Sequence, residues 1–254
     1  MPKVLIVVEA SEDNVADSPT MIGMVSALKR VIATSGAAPV SVEVVEAKTL
    51  RQMYGVDLEL ESNLAQDWAT EDVIVCPLTL DLPHTLPFGA QTVYQACRDV
   101  YGLRQRLAQK LGCAIAQGCF WLPLVLTTKG PLYGEVIGVA GTTTGEMPEH
   151  LSPACGLNYY QPFHLSDALR QQLYRMGQCL LQLLSAPPAV YLLQFGFQGA
   201  DICFDRLWPF PAAPAIASLG VQEPDLFACH WYCLASLPLL DLTIIPPVTH
   251  KASS

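Results

Sequence analysis

Charged side chains are scarce in this sequence: Asp, Glu, Lys and Arg make up 15% of its 254 residues, against about 25% in an average soluble protein. Basic residues are the rarer sign, 14 against 23 acidic ones, and the net charge is −9. Proteins that bind DNA or RNA hold the phosphate backbone with clustered Lys and Arg. The one dense basic stretch, 98–110, spreads its charges around a predicted helix, as a solvated face does. We therefore predict no nucleic-acid binding.

Long uninterrupted apolar runs are also lacking. The amino-terminal run ends at Glu9, before it reaches the length of a signal peptide. Two uncharged stretches, 111–128 and 176–200, are about long enough to cross a membrane. The first is interrupted by Pro123 and the second by Pro187-Pro188, so we predict passages through a buried core instead. We expect a cytoplasmic protein without a membrane span.

A disulfide framework is not indicated. The sequence has nine cysteines, an odd number at irregular spacing, whereas disulfide scaffolds are typical of small secreted chains with an even number. We expect reduced thiols that are mostly buried. Cys229, His230 and Cys233 offer soft ligands for zinc, but on a helix His230 points about 100° away from Cys229. We predict core cysteines with a surface or capping histidine, and no metal site.

Hydrophobic residues are abundant, at 51% of the chain. That supports a large core and leaves apolar surface to spare, which favours a protein partner or a homo-oligomer. The corner Trp208-Pro209-Phe210-Pro211 is the candidate interface, because Trp and Phe are common interface anchors. Burial of Trp208 and Phe210 within the chain is the alternative interpretation.

The order of predicted elements in the first part indicates an α/β fold. Strands and helices alternate: strand Val4–Val8, helix Pro19–Ile32, strand Val40–Val45, helix Leu58–Trp68 and strand Asp72–Leu80. The first strand is continuously apolar, as buried strands of parallel sheets are. We therefore predict a Rossmann-like part over residues 1–88, in which Val4–Val8 and Val73–Val75 are neighbouring parallel strands.

The second part has a mixed order that predicts an α+β domain over residues 89–245, followed by a tail at 246–254. Its predicted elements are a long helix over 90–111, strands at 119–126 and 133–140, a helix at 167–184, a hairpin at 190–207 and a helix at 224–234. Ser166 is a suitable cap for the fourth of these. Together the two parts predict an α/β protein with a parallel sheet first and an α+β part second.

Polar residues follow the predicted parallel strands at their carboxyl ends, where ligands bind in such sheets. Glu9 follows the first strand, and Asp81 and His84 follow the third. We therefore predict these three as ligand-binding residues, with Asp13 and Asp17 as further polar lining of the same pocket. Lys129, in the turn between two predicted strands, and Asp205 complete the candidate ligand-binding residues.

Three segments of the second part carry a family resemblance. They are Asp205-Arg206-Leu207-Trp208-Pro209-Phe210-Pro211, Phe227-Ala228-Cys229-His230 and Leu237-Pro238-Leu239. In this order they resemble the closing section of the ATP-grasp enzymes, nearest the branch with the N5-carboxyaminoimidazole ribonucleotide synthases. That section has a metal-binding carboxylate before a Pro-Arg-Pro corner, then Phe-x-x-His and Leu-Pro-Leu. The resemblance implies a Rossmann-like domain followed by an ATP-grasp-like domain, with ATP and Mg²⁺ as cofactors.

The sequence departs from the family pattern where metal and phosphate would bind. Arg206 occupies the position of the metal-binding Glu, Phe210 that of the Arg in Pro-Arg-Pro, and no glycine-rich lid with a phosphate-binding Lys is recognisable. Mg²⁺ is held by carboxylates and phosphates are stabilised by cations, so we predict Asp205 and Arg206 as an ion pair instead. The leading interpretation is a non-catalytic or strongly diverged ATP-grasp-like protein that acts as a binding or assembly factor. The alternative is an active enzyme, an ATP-dependent carboxylate–amine ligase-like protein or a hydrolase, that uses the pocket at the sheet edge.

Overall fold

The first part of the chain forms a three-stranded parallel sheet. The computed structural model describes residues 3–9, 18–36, 40–54, 73–141 and 158–246. Strand β1 (Lys3–Val8) lies between β2 (Ser41–Glu46) and β3 (Val73–Pro77). Its Val4 pairs with Ile74 of β3, so the predicted pair of neighbouring parallel strands is confirmed. The predicted helix at 58–68, the predicted pocket residues Asp13 and Asp17, and all but the first residue of the tail lie outside the described residues.

Helix α1 (Pro19–Thr34) follows β1, and α2 (Ala47–Tyr54) follows β2. Helix α1 begins after Ser18 with proline at its first position, where the missing backbone N–H costs nothing. One face of α1 is apolar and buried; it carries Met24, Ala27, Leu28, Val31 and Ile32. This face fixes the start of the helix beside the end of β1.

The long helix predicted over 90–111 is wrong, because the structure has two helices there. Helix α3 (Gln91–Arg98) and helix α4 (Val100–Leu111) are separated by Asp99, whose φ of −80° and ψ of 69° are not helical. The Asp99 carboxylate accepts a hydrogen bond from the Gly102 backbone N–H at 2.9 Å. Asp99 therefore caps the second helix, a role that short polar side chains favour.

The second part forms a seven-stranded mixed sheet with the order β4-β10-β9-β5-β7-β8, and β6 pairs with β5. Its strands are β4 (Ala114–Ile115), β5 (Phe120–Thr127), β6 (Gly130–Tyr133), β7 (Val136–Val139), β8 (Tyr159–Phe163), β9 (Ala189–Gln198) and β10 (Asp201–Trp208). All neighbours are antiparallel except β4 and β10. Helix α5 (Asp167–Leu183) precedes β9 and is capped by Ser166. The predicted combination of a parallel sheet and an α+β part is confirmed.

The chain then forms a 3₁₀ segment (Ala213–Ser218), the short strands β11 (Gln222–Glu223) and β12 (Thr243–Ile244), and helix α6 (Leu226–Leu234). Helix α6 is almost wholly buried. The prediction of a surface or capping histidine there is wrong: His230 is 2% exposed, and its Nδ1 accepts a hydrogen bond from the Val190 N–H at 3.2 Å. Helix α6 is surrounded by apolar neighbours, so it has no solvated face on which His230 could lie.

The two sheets share one continuous apolar core. The Tyr94 hydroxyl bridges them, 3.1 Å from the Pro77 carbonyl oxygen and 3.2 Å from that of Pro209. The indole N–H of Trp231 donates to the Ser35 hydroxyl at 3.0 Å. The boundary predicted at residues 88 and 89 thus separates two sheets but not two cores.

Eight cysteines fall within the described ranges, and all eight are thiols, seven of them buried and Cys113 partly exposed. Burial raises the pKa of Cys76, Cys97 and Cys233 to about 12. Among the described residues, no helix is both long and apolar enough to cross a membrane.

Candidate functional site

A cleft of about 740 Å³ opens at the carboxyl ends of the parallel strands. One wall consists of Glu9 after β1, residues 78–81 after β3, and the start of α1 from Ser18 onward. The floor is formed by side chains of β5, β9 and β10 of the mixed sheet. The cleft therefore lies between the two sheets, where ligands of open α/β folds bind.

A row of side chains crosses the floor of the cleft. Trp121 of β5 is paired with Gln194 of β9, which is paired in turn with Arg206 of β10. Residues directly opposite each other on adjacent strands share a face, and Trp208 shares it too because it lies two positions beyond Arg206. These four side chains all line the cleft, and we call them the floor row.

The floor row depends on an irregularity in β10. The register of the β9–β10 pair shifts between Phe204 and Arg206, so Asp205 is the extra residue of a β-bulge. Bulges redirect side chains and are frequent beside functional sites. Here the bulge places the Asp205 carboxylate, in a side chain only 2% exposed, beneath the floor.

Three groups hold the Asp205 carboxylate. Its Oδ1 lies 2.5 Å from Nη2 of Arg104 and 3.4 Å from Nε of Arg206, and its Oδ2 accepts from the Gly118 N–H at 3.0 Å. Nε of Arg104 also donates to the Asp205 carbonyl oxygen at 2.8 Å. The predicted ion pair with Arg206 exists, but Arg104 is the closer partner.

The members of the floor row hold one another. Trp208 donates through Nε1 to Oε1 of Gln194 at 2.9 Å, and Gln194 donates through Nε2 to the Gly118 carbonyl oxygen at 2.6 Å. The guanidinium of Arg206 lies 5.5 Å from the centre of the Trp208 ring, within the range of a cation–π contact. Each polar side chain beside Arg206 is therefore fixed in orientation.

The wall opposite the floor carries a second ion-pair cluster. The Asp81 carboxylate lies 2.6 Å from Nη2 of Arg51 and 3.6 Å from Nη2 of Arg98. Nη1 of Arg98 also donates to the Leu82 carbonyl oxygen at 2.9 Å. Asp81 is thus shared between two guanidinium groups.

The structure brings together three of the five residues predicted to bind ligand. Glu9, Asp81 and Asp205 line the same cleft. His84 lies apart from it, exposed, with its carbonyl oxygen accepting a hydrogen bond from Gln91. Lys129 is exposed in the turn between β5 and β6, beside a separate recess.

The two residues predicted as an interface have different surroundings. Phe210 is 3% exposed, and its ring stacks on Tyr94 with centroids 6.0 Å apart. Trp208 is half-buried at the cleft. Phe210 is therefore buried within the chain, which was one of the two interpretations of this corner. Trp208 is the member of the pair that is partly exposed.

Sequence reasoning missed Arg104, Gly118, Trp121 and Gln194. Arg104 was assigned to a solvated helix face, and that assignment is wrong because the side chain is turned toward Asp205. Gly118 has a steric reason: a Cβ atom there would overlap the backbone of Phe195. No sequence pattern indicates Trp121 and Gln194, because their common face depends on the strand register.

Comparison with solved structures identifies the fold. Glycinamide-RNase-transformylase T from Mycobacterium tuberculosis is 15% identical, with a TM-score of 0.65 over 96% of this chain and 82% of that one. N5-carboxyaminoimidazole synthetase from Staphylococcus aureus is 7% identical, with a TM-score of 0.67 over 96% of this chain and 80% of that one. The carboxyaminoimidazole ribonucleotide synthase of Aspergillus clavatus, complexed with ATP, is 9% identical, with a TM-score of 0.65 over 94% and 78%. No protein-family model and no curated protein matches the sequence. The predicted ATP-grasp-like fold is confirmed.

The residues of the cleft do not fit a Mg²⁺ ion. Magnesium prefers carboxylate oxygens and water in an octahedral arrangement, but both oxygens of Asp205 are engaged and Asp81 is shared by two arginines. Among the described residues, no three His, Cys, Asp or Glu side chains are grouped to hold a metal ion. Of the cleft carboxylates that the structure describes, Glu9 is the remaining one, and one carboxylate alone is a poor magnesium site.

Proposed function

We propose that this chain is a binding protein that holds a small organic ligand in the cleft between its two sheets and does not carry out magnesium-dependent ATP chemistry. The observation that supports the proposal is the floor row: four side chains from three strands lie on one face, and hydrogen bonds fix three of them, Gln194, Arg206 and Trp208, before any ligand arrives. Such preorganisation reduces the entropy lost on binding.

The size and lining of the cleft suit a small molecule. Ligand pockets measure about 300–1,000 Å³ and are largely apolar with a few convergent polar groups, and the cleft, at about 740 Å³, is within this range. Its apolar lining includes Met21, Met24, Leu78, Leu80, Ala212, Ala213 and Pro214. An amphipathic ligand would place its apolar body against these side chains and its polar end on the floor row.

A thermal-shift screen of small metabolites tests the proposal when it includes a variant with a filled cleft. Ala213 lines the cleft and is half-buried, so Ala213→Trp fills it. Ala217 is equally half-buried on the same 3₁₀ segment but outside the cleft, so Ala217→Trp is the matched control. We expect compounds that raise the melting temperature of the wild type to do the same for Ala217→Trp and not for Ala213→Trp. Equal responses of the two variants, or no stabilising compound at all, would contradict the proposal.

The second candidate function is an active enzyme, an ATP-dependent carboxylate–amine ligase-like protein, and the comparisons favour it. Similar structures include a synthase complexed with ATP and one in complex with ADP and an aminoimidazole ribonucleotide. The lack of a fitting magnesium site opposes it. We therefore expect no release of ADP above the protein-free blank when the protein is incubated with ATP, Mg²⁺ and mixtures of amines and carboxylates.

Release of ADP would support the enzyme if it depends on the cleft. Glu9→Gln removes the carboxylate that, of those described in the cleft, is not shared with arginines, whereas Glu223→Gln changes an exposed carboxylate elsewhere. ADP release that persists in Glu223→Gln and disappears in Glu9→Gln would establish the ligase and overturn the binding role.

A further inference from the structure

We propose that the ligand of the cleft is an oxyanion, a carboxylate or a phosphate monoester on an apolar body, and that Arg206 binds it without a divalent metal ion. This inference rests on the proposed function and specifies its ligand. It departs from what the ATP-grasp resemblance implies, because a fixed guanidinium takes the place of a carboxylate-bound cation.

The charge of the cleft favours an anion. The carboxylates of Glu9, Asp81 and Asp205 line it. Four guanidinium groups line the cleft or pair with these carboxylates, those of Arg51, Arg98, Arg104 and Arg206. Counted over the described residues alone, the balance of this set is one positive charge, in a chain whose net charge is −9. Opposite charges concentrated in a cleft attract and orient a charged ligand.

Arg206 is held in the orientation that an anion requires. Its Nε is directed at Asp205, and its guanidinium carbon lies over the Trp208 ring, 5.5 Å from the ring centre. Within the described ranges its two Nη groups have no hydrogen-bond partner, and the residue lines the cleft. A guanidinium fixed by Nε presents its Nη edge as a fork that matches the two oxygens of a carboxylate or phosphate.

A second donor of the floor row also lacks an acceptor. Trp121 is 5% exposed and lines the cleft, and its Nε1 has no hydrogen-bond partner among the described residues. Buried N–H groups are nearly always paired in folded proteins, so an unpaired one calls for an acceptor. Because this N–H is shielded from solvent, Arg206, whose side chain is about one-third exposed, is the donor of the floor row that is open to a ligand.

The described part of the chain groups no carboxylates for a metal ion, and its arginines can take over the role that a metal would have. A divalent cation serves phosphate ligands by neutralising their charge, and here Arg206 and Arg98 already line the cleft with positive charge. Asp205 stabilises Arg206 from below, as the counter-ion of a cation and not as a metal ligand. We therefore expect Mg²⁺ not to strengthen binding: it should leave the Kd of the ligand unchanged, or raise it slightly by binding the anion in solution.

Calorimetric titration with phenyl phosphate tests the inference, because this compound joins an apolar ring to a phosphate monoester. Benzoate is the carboxylate arm, and benzyl alcohol is the uncharged control. Each titration is carried out in EDTA and again in MgCl₂, at low and at raised salt. We expect phenyl phosphate or benzoate to bind with the same Kd, within about twofold, in both metal conditions, and more weakly as salt rises.

Three substitutions assign the contact. Arg206→Gln removes the fork while Arg104 and the Gly118 N–H still satisfy Asp205, so the fold is expected to persist. Removing a charge-assisted pair weakens binding about tenfold or more. Arg175→Gln changes an exposed arginine outside the cleft and should leave the Kd unchanged. Arg206→Lys keeps the charge and loses the fork, so its Kd should lie between that of the wild type and that of Arg206→Gln.

The outcomes separate this inference from the proposed function. Binding that requires Mg²⁺, or that is unchanged in Arg206→Gln, would overturn the inference. If benzyl alcohol binds and Ala213→Trp abolishes this binding while neither anion binds, the cleft is a ligand site but not one for oxyanions. If none of the three compounds binds the wild type, both proposals lose their support.

Discussion

Asp205 lies at a bulge, is almost fully buried, and satisfies three donors at once. Removing one partner of a buried charge pair costs far more than the pair contributes, because the remaining charges stay in a site of low polarity. Arg104 is about one-quarter exposed and Arg206 about one-third, so water offsets part of this cost. The residue is therefore a sensitive point of the fold beneath the cleft.

We expect Asp205→Ala to lower the free energy of unfolding by about 3 kcal/mol, measured by urea denaturation. Glu43→Ala is the control: Glu43 pairs with Lys3 at 2.7 Å, with the side chains 42% and 29% exposed, and its loss should cost about 1 kcal/mol or less. A double-mutant cycle should give Asp205 a larger coupling energy with Arg104 than with Arg206. A larger coupling energy with Arg206 would show that the pair with the shorter distance, Asp205 and Arg104, does not make the stronger interaction.

His230 should make stability depend on pH. Burial lowers the pKa of this histidine from 6.5 to about 3, so between these values the unfolded chain takes up a proton that the folded chain does not. Stability is unaffected above about pH 6.5 and falls as the pH decreases toward 3, by up to about 1.4 kcal/mol per pH unit. Urea denaturation at a series of pH values measures this slope.

His230→Asn is the matched variant for this test. An asparagine oxygen can replace Nδ1 as acceptor for the Val190 N–H, and it does not titrate. We expect the variant to be less stable than the wild type near neutral pH and the difference to shrink with acidification. A constant difference across the range would show that His230 is not the titrating group.

Ion pairs illustrate how far the sequence reaches at the scale of residues. Adjacency predicted a contact between Asp205 and Arg206, which the structure contains. The closer partner, Arg104, is 101 positions away in sequence, and no pattern along the chain indicates a contact over that distance. A contact between neighbours in sequence can thus be predicted from the sequence, whereas a contact between residues that only the fold brings together cannot.

At the scale of elements, the loop before β5 crosses β9 unusually closely. A Cβ atom on Gly118 would overlap the Phe195 carbonyl, and one on Gly196 would crowd the Gln117 carbonyl oxygen. The same loop supplies the N–H that binds Asp205 and the carbonyl oxygen that binds Gln194. Glycine at 118 therefore sets the distance between the loop and the floor row.

We expect Gly118→Ala to destabilise the protein by about 3 kcal/mol, because backbone must move to admit the methyl group. Gly89→Ala is the control, since a Cβ atom there meets nothing within 4 Å, and its effect should stay within about 0.5 kcal/mol. Thermal unfolding followed by circular dichroism compares the two. Similar melting temperatures for both variants would show that there is room for a methyl group between residue 118 and the Phe195 backbone.

Elements were easier to predict than their registers. The apolar run of β1 and the breaks around it were sufficient to place two parallel strands side by side, as the pairing of β1 with β3 confirms. The floor row was not predictable, because a slip of one residue turns every side chain to the other face. A bulge such as that at Asp205 causes this kind of slip, and the local sequence does not mark it.

At the scale of the whole molecule, the two sheets are joined by buried contacts. Besides the Tyr94 bridge, Trp231 binds Ser35, and at the surface Arg30 lies 3.3 Å from Asp225. We expect a single unfolding transition in calorimetry, with equal calorimetric and van't Hoff enthalpies. Two resolved transitions would show that residues 1–88 and 89–245 fold as separate units.

The seven buried thiols have a consequence for following this protein over time. Alkylating reagents attack the thiolate, and burial with a raised pKa withholds that species from Cys76, Cys97, Cys229 and Cys233. Each becomes reactive only when the element around it opens, so the labelling rate of each peptide in a mass spectrum reports how often that element opens. These thiols lie in β3, α3 and α6, so the unaltered chain contains probes of local opening in both of its parts. A ligand that binds in the cleft between the two parts should lower the alkylation rates of the thiols on either side.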